Sequence, residues 1–182
     1  MRVPEIVEKL WEKYGLEENV RKHCIAVAEM ALKIAESVER RGYRVDKEAV
    51  LLGALLHDIG RAITHDPFKH FLRSAEILKA EGLDEKIVKI AERHFSAGIS
   101  AEEAKKLGLP EKDYLPESLE EKIVSFADNI TFSSTVRDFD SFLRRLDKID
   151  SENPQLRWFT DATRERAIKM KLEMEEISGM RF

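Results

Sequence analysis

The sequence predicts an all-α fold, a single-domain helical bundle that spans residues 1–182. Apolar residues recur at spacings of three and four along most of the chain, which is the pattern of helices that bury one face. No segment alternates apolar and polar residues for long enough to indicate a β-strand. Hydrophobic residues make up 43% of the chain, which is enough to build one sizeable core without disulfide bonds.

The predicted helices follow one another closely along the chain. A short helix over 4–14 begins at Pro4, because proline suits the first helical turn. A long helix over 17–41 comes next, and the following helix over 46–57 is apolar on every side from Ala49 to Leu56, which is typical of a helix buried all round. The remaining predicted helices span residues 68–81, 84–95, 101–107, 117–132, 138–149 and 154–177.

The composition indicates a soluble, cytoplasmic protein. The net charge of −4 provides no global positive field that would attract nucleic acid, so nucleic acid is not an expected partner. No apolar run approaches the roughly 20 residues that a membrane span requires. The single cysteine, Cys24, is expected to be a buried hydrophobe rather than a catalytic thiol. Abundant lysine, glutamate and arginine with one glutamine and three asparagines is typical of thermophilic proteins.

His57 and Asp58 end the most apolar predicted helix. Adjacent helical residues point about 100° apart, so both side chains reach one ion only from the end of the helix, where the backbone is free to bend. A carboxylate beside such an apolar helix is costly to bury unless it is paired or coordinates a metal.

Further histidines and an aspartate border apolar faces. His23 flanks the apolar stripe of the long helix, His94 continues the stripe of its own helix, and Asp128 follows the apolar run 123–127. A lone buried histidine or aspartate usually has an ordinary hydrogen-bond partner, but the set together suits a divalent transition ion that holds an activated water. His70 begins the helix after the His57–Asp58 turn. His65 lies in a polar loop and is expected to be a surface residue.

The order of these residues resembles the defining pattern of the HD-domain superfamily of metal-dependent phosphohydrolases. The matching stretches are Leu55-Leu56-His57-Asp58-Ile59-Gly60 and Ser125-Phe126-Ala127-Asp128, preceded by His23. The resemblance covers about residues 20–132, and the helices over about 138–177 are expected to pack on this core. A Gly-Tyr-Pro signature is missing, which disfavours the cyclic-dinucleotide branch of the superfamily.

The resemblance implies a metal site with one or two ions of manganese, iron, cobalt, nickel or zinc. Its ligands would be His23, His57, Asp58 and Asp128, and His70 and His94 would bind a second ion or a phosphate. Many two-metal members have paired histidines where this chain has only His94. The resemblance also implies that Asp58 orients the attacking water.

Two positions depart from the family's usual residues. Arg61 stands where many members have lysine, and its planar guanidinium would suit a phosphate clamp, although an arginine after a turn is equally often solvated. Asn129 follows the closing Asp128 where many members have lysine, which removes one phosphate contact.

The function implied is hydrolysis of a small phosphoester, expected to be a nucleotide. Two alternatives stay open: a two-iron oxygenase with the same ligands, and a non-catalytic nucleotide or RNA sensor or accessory domain. The C-terminal stretch mixes basic and aromatic residues, which predicts either a solvated helix face, packing on the core, or contact with a second subunit in a homodimer. These residues are Arg137, Phe142, Arg144, Arg145, Arg157, Trp158, Phe159, Arg164, Arg166, Lys169 and Lys171.

Overall fold

The computed structural model describes residues 1–182 and consists of nine α-helices, two short 3₁₀ turns and one two-stranded sheet. The all-α prediction is therefore confirmed. The helices are α1 (Glu5–Tyr14), α2 (Glu18–Arg40), α3 (Lys47–Leu56), α4 (His70–Ala80), α5 (Glu85–Arg93), α6 (Ala101–Lys106), α7 (Leu119–Asn129), α8 (Phe139–Glu152) and α9 (Arg157–Ser178). None of them is long and apolar enough to cross a membrane.

Helix α3 lies at the centre of the bundle. It packs against α2, α5 and α7, and Ala54, Leu55 and Leu56 are fully buried at its C-terminal end. Three surrounding helices explain why this segment is apolar on every side. The residues that follow α3 therefore enter the protein interior rather than the solvent.

Helices α5 and α7 are fixed to each other by a buried ion pair. Ser118 and Glu121 form a capping box at the start of α7, in which each side chain bonds a backbone N–H of the other's turn. Glu121 also accepts a hydrogen bond of 2.6 Å from Arg93 at the end of α5. This contact sets the relative position of two helices that each end beside the candidate site, at His94 and Asp128.

The C-terminal helices pack on the same core as the preceding helices. Phe142 and Leu146 of α8 and Met170 of α9 belong to the main cluster of buried apolar residues. Arg166 of α9 holds the other side of the bundle by donating two hydrogen bonds of 2.8 Å to the Glu103 carboxylate and others to the carbonyls of the loop at 97–98.

The region after α7 differs from the prediction. The helix expected over 117–132 ends at Asn129, and Thr131–Phe132 pairs antiparallel with Thr135–Val136 in a small hairpin. The Thr131 hydroxyl donates to the Ala127 carbonyl at 2.7 Å, and Ser133 at the turn adopts a left-handed conformation with φ of 53°. The remaining predicted boundaries agree to within a few residues, except that 154–156 form a 3₁₀ turn before α9.

Candidate metal centre

The turn after α3 is held directly against the start of α4. His57 ends the helix, and Asp58 precedes a 3₁₀ turn over Ile59–Ala62. The Gly60 amide donates to the Ser74 hydroxyl at 2.8 Å, and a Cβ on Gly60 would lie 2.0 Å from the His70 carbonyl oxygen. Only glycine permits this approach of two backbones. The approach brings His70 next to Asp58.

Four histidines direct the same ring nitrogen, Nε2, into one cluster of ligand atoms. Each Nδ1 lies against a backbone carbonyl, which makes it the N–H donor and leaves the Nε2 lone pair free. The Nδ1-to-oxygen distances are 2.6 Å from His23 to Ser133, 2.6 Å from His57 to Ala54, 2.6 Å from His94 to Ala91 and 3.3 Å from His70 to Asp66. The hairpin after α7 therefore orients His23, a role that the sequence did not indicate.

The two carboxylates lie among these Nε2 atoms. Asp58 Oδ1 is 3.1 Å from Nε2 of His70 and 3.3 Å from Nε2 of His94. Asp128 Oδ1 is 2.9 Å from Nε2 of His23 and 3.4 Å from Nε2 of His57. The structure thus brings together all six residues that the resemblance assigns to metal ions or, for His70 and His94, to a second ion or a phosphate.

Several polar atoms in this cluster are buried without a satisfactory hydrogen-bond partner. His57 Nε2 and Asp58 Oδ1 are buried without a hydrogen bond, and the Nε2 atoms of His70 and His94 face each other at 3.1 Å. Two facing lone pairs repel unless a proton or a cation lies between them. The six side chains form three overlapping groups of ligand atoms within 4.8 Å of one another. A donor set of imidazole and carboxylate fits divalent transition ions.

The electrostatics of the cluster keep both carboxylates ionised. Burial alone raises the pKa of Asp58, but the neighbouring imidazole rings of His57, His70 and His94 lower it well below its usual range. Burial likewise raises the pKa of Asp128, whereas His23 and His57 bring it well below the usual value. Two adjacent charged carboxylates, the buried Asp58 and the partly buried Asp128, strongly attract a cation.

The burial of His94 has a different consequence. Burial lowers its pKa below that of an ordinary histidine, and this effect outweighs the neighbouring Asp58 carboxylate, which raises it. His94 is therefore neutral at physiological pH, which is the form in which imidazole acts as a ligand.

The cluster opens into a cavity of about 680 Å³. In contrast to the polar cluster, another part of the cavity wall is aromatic and aliphatic. It includes parts of α8 and α9, which the sequence alone did not connect with the site. Its apolar residues are Val20, Pro67, Phe68, Phe95, Phe142, Leu146, Ile149, Leu156 and Phe159. Its polar residues beyond the cluster are Asn19, Arg61, His65, Ser96, Asn129, Thr131, Ser133, Arg145, Asn153 and Thr160.

The other predicted residues fall in different settings. Arg61 lines the cavity, but it is not a free cation, because its Nε donates to Asp58 Oδ2 at 2.9 Å. His65 is exposed as expected and pairs with Glu17 at 3.1 Å. Cys24 is fully buried, and burial raises the pKa of its thiol, which agrees with a packing role rather than a nucleophilic one.

The comparison with family models gives a match to the HD domain over residues 20–133, which is more than half of the chain. An uncharacterized protein of Methanocaldococcus jannaschii is 52% identical over 131 residues, which cover 72% of this chain and 77% of that protein. A tRNA (cytidine(56)-2′-O)-methyltransferase of Picrophilus torridus is 38% identical over 159 residues, or 87% of this chain, but the match spans only 41% of the methyltransferase.

More distant relatives share the region or the fold. A ribonuclease Y of Fervidobacterium nodosum is 30% identical over 156 residues, which cover 81% of this chain and 26% of that protein. The HD domain of the Listeria monocytogenes phosphodiesterase PgpH, solved with cyclic-di-AMP, has a TM-score of 0.56 at 18% identity and covers 98% of this chain and 97% of that one. This last likeness concerns the fold alone. The match to the family model over more than half of its length shows that the chain belongs to the HD domain family.

Proposed function

We propose that this protein is a metal-dependent phosphohydrolase that cleaves a phosphodiester bond of a nucleotide. The observation that carries the proposal is the convergence of four Nε2 atoms and two ionised carboxylates at the base of one cavity. Membership of the HD domain family supports metal-dependent hydrolysis as the class of reaction.

The ligands divide between two ions in this proposal. His23, His57, Asp58 and Asp128 hold one ion, and Asp58 with His70 and His94 holds the other. Bound divalent ions would supply a water acidic enough to attack phosphorus near neutral pH and would offset the charge of the phosphoryl oxygens.

The protein's own groups orient the reaction. Asp58 accepts a hydrogen bond from the attacking water, which aligns it with the phosphorus atom. Arg61 holds the Asp58 carboxylate in place through its Nε, and the remaining N–H groups of the guanidinium donate to a phosphoryl oxygen. Arg61 therefore acts both on the carboxylate and on the substrate.

The shape of the cavity supports a nucleotide rather than a simple phosphate. A volume of about 680 Å³ with Phe68, Phe95 and Phe159 in its wall suits a ligand with a flat apolar group as well as a charged one. The three rings pack edge to face or stacked with centroids 5.3–6.2 Å apart. The similar proteins, a phosphodiesterase solved with cyclic-di-AMP, a ribonuclease and a tRNA methyltransferase, are all named for nucleotides or RNA.

A second candidate function is that of a nucleotide- or RNA-binding accessory domain. The match to the methyltransferase of Picrophilus torridus spans 41% of that protein, and the match to a homologous methyltransferase of Thermoplasma volcanium spans 33%. A region of this kind inside a longer RNA-modifying protein favours a binding role. Such a role requires that phosphate binds at the site, but not that water is oriented for attack.

Turnover assays separate the two candidates. Purified protein is incubated with Mn²⁺, Fe²⁺, Co²⁺, Ni²⁺ or Zn²⁺ and with bis(p-nitrophenyl) phosphate, p-nitrophenyl phosphate, nucleoside monophosphates, linear and cyclic dinucleotides and short RNA. The proposal predicts metal-dependent hydrolysis of at least one phosphodiester, which chelation abolishes and added metal restores. If metal-loaded protein binds nucleotides and hydrolyses none of them, the accessory-domain function replaces the enzymatic one.

A further inference from the structure

Helix α8 turns one face towards the cavity, and that face contains a cation. Phe142, Arg145, Leu146 and Ile149 all line the cavity, and their spacing of three and four places them on one side of the helix. The other three positions are apolar, so Arg145 is the one charged residue on an otherwise apolar surface. Arg145 lies beyond residues 20–133, which the family model matches.

Arg145 is also the arginine of the cavity that has no ion-pair partner. Only two arginines and no lysine line it, and Arg61 is already paired with Asp58. Arg145 forms no ion pair and no hydrogen bond, and its guanidinium lies 5.1 Å above the centre of the Phe132 ring. This cation–π contact uses none of the guanidinium N–H donors, so they remain free for an anion.

A second cavity residue has an unused donor. Asn129 is 5% exposed and its Nδ2 has no hydrogen-bond partner. Asn129 also lines the cavity. Because a buried amide group without a partner is costly, a ligand acceptor is the natural resolution. Asn129 therefore offers an unused neutral donor at the position where the sequence predicts the loss of one phosphate contact.

We propose that Arg145 and Asn129 bind a second phosphate group of the substrate, separate from the phosphodiester that is cleaved at the histidine–aspartate cluster. This inference rests on the proposed function and narrows it to nucleotides with at least two phosphate groups, such as dinucleotides and longer oligonucleotides. The cluster engages one phosphate, the aromatic wall a base, and the α8 face the second phosphate.

Binding measurements test the inference without any turnover. Chelator-treated protein is titrated by isothermal calorimetry with the adenylyl dinucleotide that has a 5′-terminal phosphate, pApA, and with ApA, which lacks it. Wild-type protein should bind pApA about tenfold or more tightly than ApA, since a charge-assisted hydrogen bond is worth at least one such factor. Arg145→Ala should remove this preference, and Asn129→Asp should reduce it by replacing a donor with a negative acceptor.

Arg144→Ala is the matched control, because Arg144 is the neighbouring residue and pairs instead with Asp138 at 3.6 Å. This variant should keep the preference for pApA. Equal binding of pApA and ApA by the wild type would overturn the inference, as would equal losses in the Arg144 and Arg145 variants. Hydrolysis plays no part in these titrations, so a preference for pApA in a protein that hydrolyses nothing would sustain the second phosphate site and refute only the proposed catalysis.

Discussion

Replacing Gly60 by alanine probes the packing of the His57–Asp58 turn on α4. The new Cβ would lie 2.0 Å from the His70 carbonyl oxygen and 2.5 Å from the Ser74 nitrogen. Both are backbone atoms, so no side chain can rotate away. To restore a separation of 3.0 Å, the shortest that such contacts show, the turn and α4 must move apart by about 1 Å.

The cost of that movement has two parts. Overpacking of a well-packed interior costs about 1–3 kcal/mol, and loss of the hydrogen bond from the Gly60 amide to Ser74 adds about 1 kcal/mol. We therefore expect Gly60→Ala to lower the free energy of unfolding by about 3 kcal/mol. For a chain of this length, that corresponds to a fall in Tm of about 6–12 °C.

Urea titration followed by circular dichroism measures the loss, with Gly15→Ala as the control. Gly15 has a φ of 69° and no atom near its Cβ position, so alanine there costs only the backbone strain of about 1–2 kcal/mol. Because His70 moves with α4, Gly60→Ala should also weaken binding of a second metal equivalent. A Gly60 variant as stable as the Gly15 variant would refute the argument that close backbone approach holds this turn.

Three further outcomes follow from the site and its surroundings. The double variant His70→Ala, His94→Ala should reduce bound Mn²⁺ from two equivalents to one, whereas a wild type that saturates at one would leave these histidines as phosphate or core residues. Arg61→Ala should raise KM in steady-state assays of a phosphodiester substrate, because a phosphate clamp acts on ground and transition states together, and it should also lower kcat, because Asp58 loses the hydrogen bond from Arg61 Nε; an unchanged KM would argue against the clamp. Burial raises the pKa of Glu103, but Arg166 lowers it below its usual range, so this pair stabilises the fold above pH about 4.5 and the stabilisation fades as the pH falls further. Glu103→Gln should thus lower stability by about 2 kcal/mol at pH 7, with a smaller difference from the wild type in acid melts; a difference independent of pH would contradict the assignment.

Sequence patterns could predict the centre of this fold because the relevant signals are local. The apolar character of residues 49–56 on every side predicts the buried helix α3, and burial of its end explains why His57 and Asp58 require partners. The position of His94 in the apolar stripe of its helix likewise indicates that it faces inward. These features depend on helical periodicity, which a single sequence displays.

Other features depend on tertiary contacts that periodicity does not encode. The strands of the hairpin have two residues each, which is too short for an alternating pattern, so the predicted helix continued through it. The sequence suggested that Arg61 is either a phosphate clamp or solvated. The 3₁₀ turn instead aligns residues three apart, so the Arg61 guanidinium donates a hydrogen bond to Asp58. In the sequence, Arg145 could not be distinguished from neighbouring basic residues that are solvated. The side of α8 that faces the cavity depends on how this helix packs on α9 and the hairpin, and periodicity does not show that packing.

Metal stoichiometry tests the central claim most directly. Wild type, His57→Ala, Asp128→Ala and the control Cys24→Ala are saturated with Mn²⁺, desalted and analysed for bound metal by plasma mass spectrometry. Cys24 is as deeply buried as His57, so its replacement disturbs the same part of the core without removing a ligand. The account predicts stoichiometric metal in the wild type and the Cys24 variant, and none in the His57 and Asp128 variants. Stoichiometric metal in all four proteins would contradict it.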